Sequence, residues 1–466
     1  METVIIFVFV FGYLAITLEH SIKIDKLIPA LVMMAISWAL ISLGIDNFPQ
    51  WFDSSKHALL ENFGLLEHEE KMHLMEETLL HHLGKTAEIL VFLLGAMTIV
   101  EIIDYFDGFD TIKDIVKTKS KRRILWIFSI LAFILSAIID NLTATIVLIS
   151  ILQKIVKDRN VRIWYAGLII IAANAGGAWS PIGDVTTTML WIGNKVSTGK
   201  LFMYLFIPSI LCMVVPSLIA SFLKPFKGEL EIVEEDENKP KSRFSSTMLF
   251  LGLGAIVFVP VFKVITHLPP YVGMMLSLGV VAIFAEIYTS SRFTMSQVEI
   301  GQSVAHEHHS PVHRSLSRIE MPSILFFLGI LMAVAALESL GILFGFANSL
   351  QENMPMLGTE LHEGGKGVSD LVVLLLGVGS AVIDNVPLVA ASLGMFTENL
   401  DDPLWHFIAY SAGTGGSMLI IGSAAGVVAM GMEKIDFFWY LKKIAWLAAI
   451  GFIAGAIAFM VMRTLI

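Results

Sequence analysis

The chain has 466 residues, 56% of them hydrophobic and only 15% charged, with a mean hydropathy of +0.76 and a formal net charge of -10. A soluble domain carries roughly a quarter charged residues, so this composition places the chain in a membrane and leaves no room for a sizeable soluble domain. The one cysteine, Cys212, lies in an apolar run, which excludes disulfide scaffolds, thiolate zinc sites and iron–sulfur clusters, and no basic stripe suggests nucleic acid.

In chain order, Met1-Glu2-Thr3-Val4 lacks the basic start of a signal peptide, so the first apolar run is expected to remain a helix. Runs close to the ~20 residues that cross a bilayer give crossings near 2–18, 26–46, 85–103, 163–192, 201–222, 245–265, 271–288, 322–345, 405–431 and 438–462. Two stretches are left over. The first, 123–153, has Lys117, Lys119, Lys121, Arg122 and Arg123 at one end and Lys154, Lys157, Arg159 and Arg162 at the other. Because Lys and Arg collect on the cytoplasmic side, both ends belong there and the stretch reads as a re-entrant hairpin. The second, 368–396, lies between Glu352, Glu360, Glu363 and Asp370 and then Glu398, Asp401 and Asp402, so its ends read as external.

With the hairpins fixed, the basic loops 223–244 and 289–321 fall inside and the acidic loop 47–84 falls outside. Each half then has five crossings and one hairpin, and an odd number of crossings starts the second half from the opposite face. The expected architecture is an all-α polytopic membrane protein: a first inverted repeat over 1–222, a cytoplasmic linker at 223–244 and a second inverted repeat over 245–466. Ser136-Ala-Ile-Ile-Asp140-Asn141-Leu-Thr143 matches Ser380-Ala-Val-Ile-Asp384-Asn385-Val-Pro387 at five of eight positions. Gly176-Gly177 with Gly183 recurs as Gly415-Gly416 with Gly422, and Phe92 through Gly95 to Asp104 echoes Phe326 through Gly329 to Glu338.

Asp140 and Asp384 stand at the midpoints of apolar hairpins, where a carboxylate costs about 2.5–3.5 kcal/mol even on the lenient insertion scale. Carbonyls exposed at a tip, beside a carboxylate and the amide of Asn141 or Asn385, make a hard oxygen site suited to a small cation. The competing reading is a buried Asp that caps the helix restarting after the turn. The crossing after each hairpin, Asn174 to Thr188 and Ser411 to Ser423, is interrupted by small and polar residues and is expected to be broken at midplane. Asp184 corresponds to Ser423, an asymmetry that makes three buried acids. Weaker candidates are Glu101 and Asp104 near the end of a crossing, the amphipathic segment 104–119, and loop histidines at 68, 73, 81 and 82 and at 306, 308, 309 and 313, which could titrate near neutrality.

At these residues the chain closely resembles the NhaD-type sodium/proton antiporters of the ion transporter superfamily, through Ser136–Thr143, Asn174–Thr188, Ser380–Pro387 and Ser411–Ser423. The resemblance implies exchange of cytoplasmic Na⁺ or Li⁺ for external protons in a bacterial inner membrane, with no cofactor and usually as a homodimer. Functional residues of that family fall on Asp140, Asn141, Thr143, Asn174, Asp184, Thr186, Thr187, Ser380, Asp384, Asn385 and Ser423, with Na⁺ expected at Asp140, Asn141, Asp384 and Asn385.

Three other readings compete. A dicarboxylate transporter of the same fold class would meet an acidic tip in both halves and no basic residue at midplane. An intramembrane aspartyl protease would need Gly-x-Gly-Asp where this chain has Pro181-Ile-Gly183-Asp184, and would leave the paired Asp-Asn tips without a role. A channel would show no counterflow in sealed vesicles.

Topology is open to direct test. Cysteines at Ser120 and Asp158 should label only from the cytoplasm and cysteines at Gly365 and Glu398 only from outside; opposite-side labelling of the two ends of either stretch would make it a full crossing.

Overall fold

The computed structural model describes residues 1–53, 58–60, 62–113, 118–230, 244–300, 310–353, 368–382 and 384–465. His306, His308 and His309, residues 114–117 of the amphipathic segment and most of the linker at 223–244 lie outside these residues.

Runs of apolar residues in a bilayer have no water to satisfy their amides and carbonyls, so they close those bonds within helices. Eight helices among the described residues are long and apolar enough to cross a membrane: His68–Tyr105, Lys121–Ile139, Arg159–Ala178, Thr198–Ser221, Ser245–Thr266, Pro270–Thr289, Met321–Ser339 and Ala445–Leu465. Shorter apolar helices include Glu2–Thr17, Leu27–Leu43, Asn141–Ile155, Asp370–Gly379, Asn385–Met395 and Ala424–Glu433. Packing sorts the spans by depth: the apolar window of Arg159–Ala178 is 83% buried, whereas that of Ser245–Thr266 is 28% buried. Phe250, Val261, Val264 and Ile265 on the latter, and Ile453, Ile457 and Val461 on Ala445–Leu465, are exposed. Such apolar outer faces fit a hydrocarbon solvent, and the chain is an integral membrane protein.

Two bodies can be recognised from the packing. The core contains the hairpin arms, the broken helices, and Thr198–Ser221 packed lengthwise on Ala445–Leu465. Gly451 and Gly455 allow that last pair to approach closely, facing the carbonyls of Cys212 and Pro208. The wall contains Glu2–Thr17, Leu27–Leu43, His68–Tyr105, Ser245–Thr266, the helix from Pro270, and Met321–Ser339. Its pairing is exchanged between halves. Gly329 of Met321–Ser339 lies on the backbone of Ala30 and Leu31, and Gly95 of His68–Tyr105 lies on Met274 and Met275.

Lys121–Ile139 and Arg159–Ala178 run side by side in the same direction. The Tyr165 hydroxyl donates to the Lys121 carbonyl at 2.8 Å, and the Ser136 hydroxyl to the Ala173 carbonyl at 2.6 Å. Asn141–Ile155 therefore returns the chain to the level at which it entered, where Lys154 pairs with Asp110 at 3.1 Å. In the second half the Ser380 hydroxyl donates to the Ala412 carbonyl at 2.6 Å, repeating the Ser136 contact.

The two broken helices run antiparallel, and their ends are joined on both sides. At one side Glu433, which ends Ala424–Glu433 and is 1% exposed, accepts from Arg162 Nε at 2.7 and 2.8 Å and from Gln153 at 2.9 Å. At the other, the Asp401 amide donates to the Lys195 carbonyl at 2.9 Å and the Ser197 amide to Asp401 Oδ1 at 2.6 Å.

Some expectations change. The stretch 68–84, expected as loop, is the first part of a 38-residue helix, His68–Tyr105. Its backbone can stay helical beyond the apolar run because its first turn carries Glu69 and Glu70, which favour a helix N-terminus. His68 and Lys71 on this extension face Asp46 at 2.8 and 3.5 Å and hold its carboxyl below the usual range, chiefly through the His68 hydrogen bond. A two-stranded hairpin, Trp51–Asp53 with Ala58–Leu60, packs nearby and was not foreseen. Met321–Ser339 ends earlier than expected, and after Gly341 at φ 71 the chain forms a separate helix, Ile342–Asn353.

Arg162→Ala should leave Glu433 charged, buried and short of its main partner, a defect that costs about 3–5 kcal/mol. Thermal unfolding of the detergent-purified protein should show a large drop, whereas Lys154→Ala, which breaks an exposed pair, should change little.

Candidate ion site

Each half builds its part of the site with the same local devices. Glycines at 176 and 415 let the broken helices touch the hairpin arms, since a Cβ there would overlap the Phe133 or the Gly377 carbonyl. Beyond them the helices unwind, and each restarts on a polar cap: Asp184 Oδ1 accepts from the Thr186 amide at 3.1 Å and Ser423 Oγ from the Gly426 amide at 3.2 Å. Thr187 and Thr188 secure the first unwound segment by donating to the Asp184 and Pro181 carbonyls, both at 2.9 Å.

The centre of the site is the Asp184 carboxylate, 2% exposed. Its Oδ2 accepts from Asn141 Nδ2 and from Asn385 Nδ2, each at 3.1 Å, so one residue of each hairpin tip meets it. Asn174 extends the cluster by accepting from Asn141 at 3.0 Å and donating to Ser423 Oγ at 3.0 Å. Of the eleven residues expected at the site, Asn141, Asn174, Asp184, Asn385 and Ser423 form this buried network. Ser380 and Thr187 act on backbone carbonyls, and Thr186 donates its amide to Asp184.

The two tip aspartates behave differently. Asp140 has φ 82, a conformation L residues rarely adopt, and its carboxylate accepts from the Thr143 amide at 2.8 Å and the Thr143 hydroxyl at 2.9 Å. It is an N-cap. At the matching position of the second tip stands Pro387, which has no amide hydrogen, and Asp384 has no side-chain cap bond. Asp384 instead accepts from the Lys26 ammonium at 3.0 Å. A basic group does therefore reach a tip, contrary to the sequence expectation. It was missed because Lys26 stood at the edge of an apolar run, where long cations are ordinarily solvated.

Two cavities flank the network. One is lined by Val382, Asp384, Ile421, Ser423, Ala424 and Val427, with an outer wall of Tyr13, Glu19 and Lys26 among others. The other is lined by Ile138, Asp140, Ile182, Asp184, Val185 and Thr188, with an outer wall that includes Phe92, Met97, Ile256 and Met274. Apart from Ile139, which also lines the second, the inner linings correspond residue for residue between the halves. Asp140 and Asp384 thus face separate spaces, and no group of three or more acidic, His or Cys side chains is gathered for a metal among the described residues.

Helices that span a membrane, two of them broken beside buried carboxylates, define an ion-coupled secondary transporter. Residues 13–406 match the family described as citrate transporter, CitMHS. Sodium/proton antiporter 1 of Arabidopsis thaliana is 40% identical over 461 residues, covering 97% of this chain and 71% of that one. Sodium/proton antiporter 2 of the same plant is 36% identical over 96% of this chain and 97% of its own length. The Na⁺/H⁺ antiporter NhaD of Vibrio cholerae is 32% identical over 93% and 86% of the two chains. The chain belongs to the family of NhaD-type sodium/proton antiporters.

Asp140→Asn should retain the cap, because Asn is as good an N-cap as Asp, whereas Asp140→Ala should cost about 0.5–2 kcal/mol. Thermal stability of the two purified variants, read side by side, should place only the alanine variant clearly below the parent.

Proposed function

We propose that the chain exchanges Na⁺ for protons, with Asp184 as the central carboxylate and Asp140 and Asp384 as the carboxylates that face the two cavities. The observation that carries this reading is the meeting of Asn141 and Asn385, one from each tip, on one oxygen of buried Asp184. A carboxylate so desolvated requires compensation, and a small cation or a proton supplies it equally well in charge; that equivalence is what exchange by competition needs. Na⁺ would bind at either tip, taking oxygens from Asp140 and Asn141 at the first or from Asp384 and Asn385 at the second, beside Asp184 in each case, and Li⁺ fits the same hard ligands. Asn174, Ser423, Thr143, Thr186, Thr187 and Ser380 position these groups through the bonds given above.

Alternating access is supported by the antiparallel broken helices and the matched cavities, which suit two inverted repeats with hairpins at 123–153 and 368–396. The basic ends of the first hairpin support a cytoplasmic placement for that side. The bacterial relatives support the cytoplasmic membrane of a bacterium as the location, and the family resemblance supports a homodimer in the bilayer. Citrate transport is the weaker reading, since a tricarboxylate would meet three carboxylates, and the one cation found beside a tip is already paired with Asp384.

Everted vesicles carrying a pH-sensitive dye decide between the readings. Na⁺ and Li⁺ should release protons in the parent, and Asp184→Asn should reduce that release to background while the protein remains in the membrane. Normal exchange by Asp184→Asn, or citrate uptake in place of Na⁺-driven proton movement, would overturn the assignment.

A further inference from the structure

The two cavities differ chiefly in their outer walls. The contacts of Gly329 with Ala30 and Leu31, and of Gly95 with Met274 and Met275, match Ala30 to Met274 and Leu31 to Met275, a separation of 244 residues (30 to 274). The same separation relates Asp140 to Asp384 and sets Pro270 opposite Lys26. One tip aspartate is therefore met by an ammonium group and the other by a wall that includes Ile256 and Met274.

Three features fit Lys26 to a role beyond a surface ion pair. The pair is sheltered, with side-chain exposures of 25% for Lys26 and 13% for Asp384. The ammonium also lies 4.5 Å from the centre of the Phe326 ring, so its position is fixed by a helix of the wall. Pro387 removes the amide that would otherwise occupy the Asp384 carboxylate, leaving that carboxylate available to a cation.

Resting on the antiport reading, we propose that Lys26 is a built-in counter-cation of Asp384 which Na⁺ must displace in order to bind at the second tip. The ammonium occupies the carboxylate while no metal ion is bound, and the site carries one cation at Asp384 at a time. Glu19 lines the same cavity and provides a second carboxylate toward which a displaced ammonium can swing. Because Lys26 belongs to the wall and Asp384 to the core, each exchange of ammonium for Na⁺ also makes or breaks a tie between the two bodies. Among the described residues the first tip has no such tie, so Na⁺ at Asp140 and Na⁺ at Asp384 differ in what they release.

The test compares the parent with Lys26→Gln and Lys26→Arg, measuring half-saturating Na⁺ for proton release in proteoliposomes and Na⁺-dependent thermal stabilisation of the purified proteins. Removal of the competitor should lower the half-saturating Na⁺ in Lys26→Gln by roughly threefold to tenfold in both measurements, and Lys26→Arg should stay near the parent. If Asp384→Asn proves unstable because it strands the Lys26 charge, adding Lys26→Gln should restore stability. Exchange by the parent with an unchanged or raised Na⁺ requirement in Lys26→Gln would overturn the counter-cation, as would failure of the double variant to recover. Absence of Na⁺-driven proton release in the parent would instead overturn the antiport reading.

Discussion

A carboxylate taken out of water at the middle of a membrane protein must find donors or a cation, and the architecture around Asp184 follows from that requirement. Two hairpins enter the protein from different elements and bring one amide each to the same oxygen, at 3.1 Å. Both amides stand at the first position of a helix that restarts after the turn, Asn141 on Asn141–Ile155 and Asn385 on Asn385–Met395. Breaking the chain at Asp140 and Asp384 supplies the tips, and breaking the following helices supplies the facing segment. Glycine at 176, 183, 415 and 422 removes the Cβ atoms that would hold these backbones apart.

The tips and broken helices of the two halves share local contacts, and they depart from one another at polar residues. Ser136 and Ser380, Gly176 and Gly415, and Gly183 and Gly422 make the same contacts and fix the same geometry. Thr143 against Pro387, Asp184 against Ser423 and Lys26 against Pro270 do not match. The first exchange decides whether the tip carboxylate is used as a cap, the second places the central negative charge on one side only, and the third supplies a cation on the other. Two identical sites would bind ions without distinguishing them, whereas these three departures give each tip aspartate a different set of neighbours.

Much of this was legible in the sequence because the cost of a polar group in lipid makes it stand out. The Asp-Asn pairs, the Gly pairs and the acid at 184 all interrupt apolar runs, and five of the eleven expected residues lie in the buried network. What escaped the sequence depends on distant contacts. The sequence favours Asp140 as an ion ligand over a cap, and only the position of the Thr143 amide and hydroxyl shows that it caps. Lys26 reads as a boundary residue until Leu27–Leu43 is seen against Met321–Ser339, where the Trp38 indole donates to the Met332 carbonyl at 2.8 Å. The helical run from His68 to Gly84 was hidden by its polarity, since apolar periodicity is the signal a span leaves and a solvated extension has none.

The placement of polar ties suggests how binding is converted into movement. Within the core, Arg162 with Glu433 at one end and Asp401 with Lys195 and Ser197 at the other clamp the two halves together, so the hairpins and broken helices have little freedom to separate. Between core and wall the polar contacts are thinner: Lys26 reaches Asp384, and Lys263 donates to the Trp191 carbonyl at 2.9 Å, capping the half-helix Val185–Ile192. Both cavities lie along that same boundary. On the proposed reading, a cation bound at a tip acts along that boundary, where a change of contact shifts the core as one body more readily than it deforms it. The boundary between two internally clamped bodies is the place where a single exchanged cation can alter which face of the site is open, and an ion pair across it makes that alteration depend on which cation is bound.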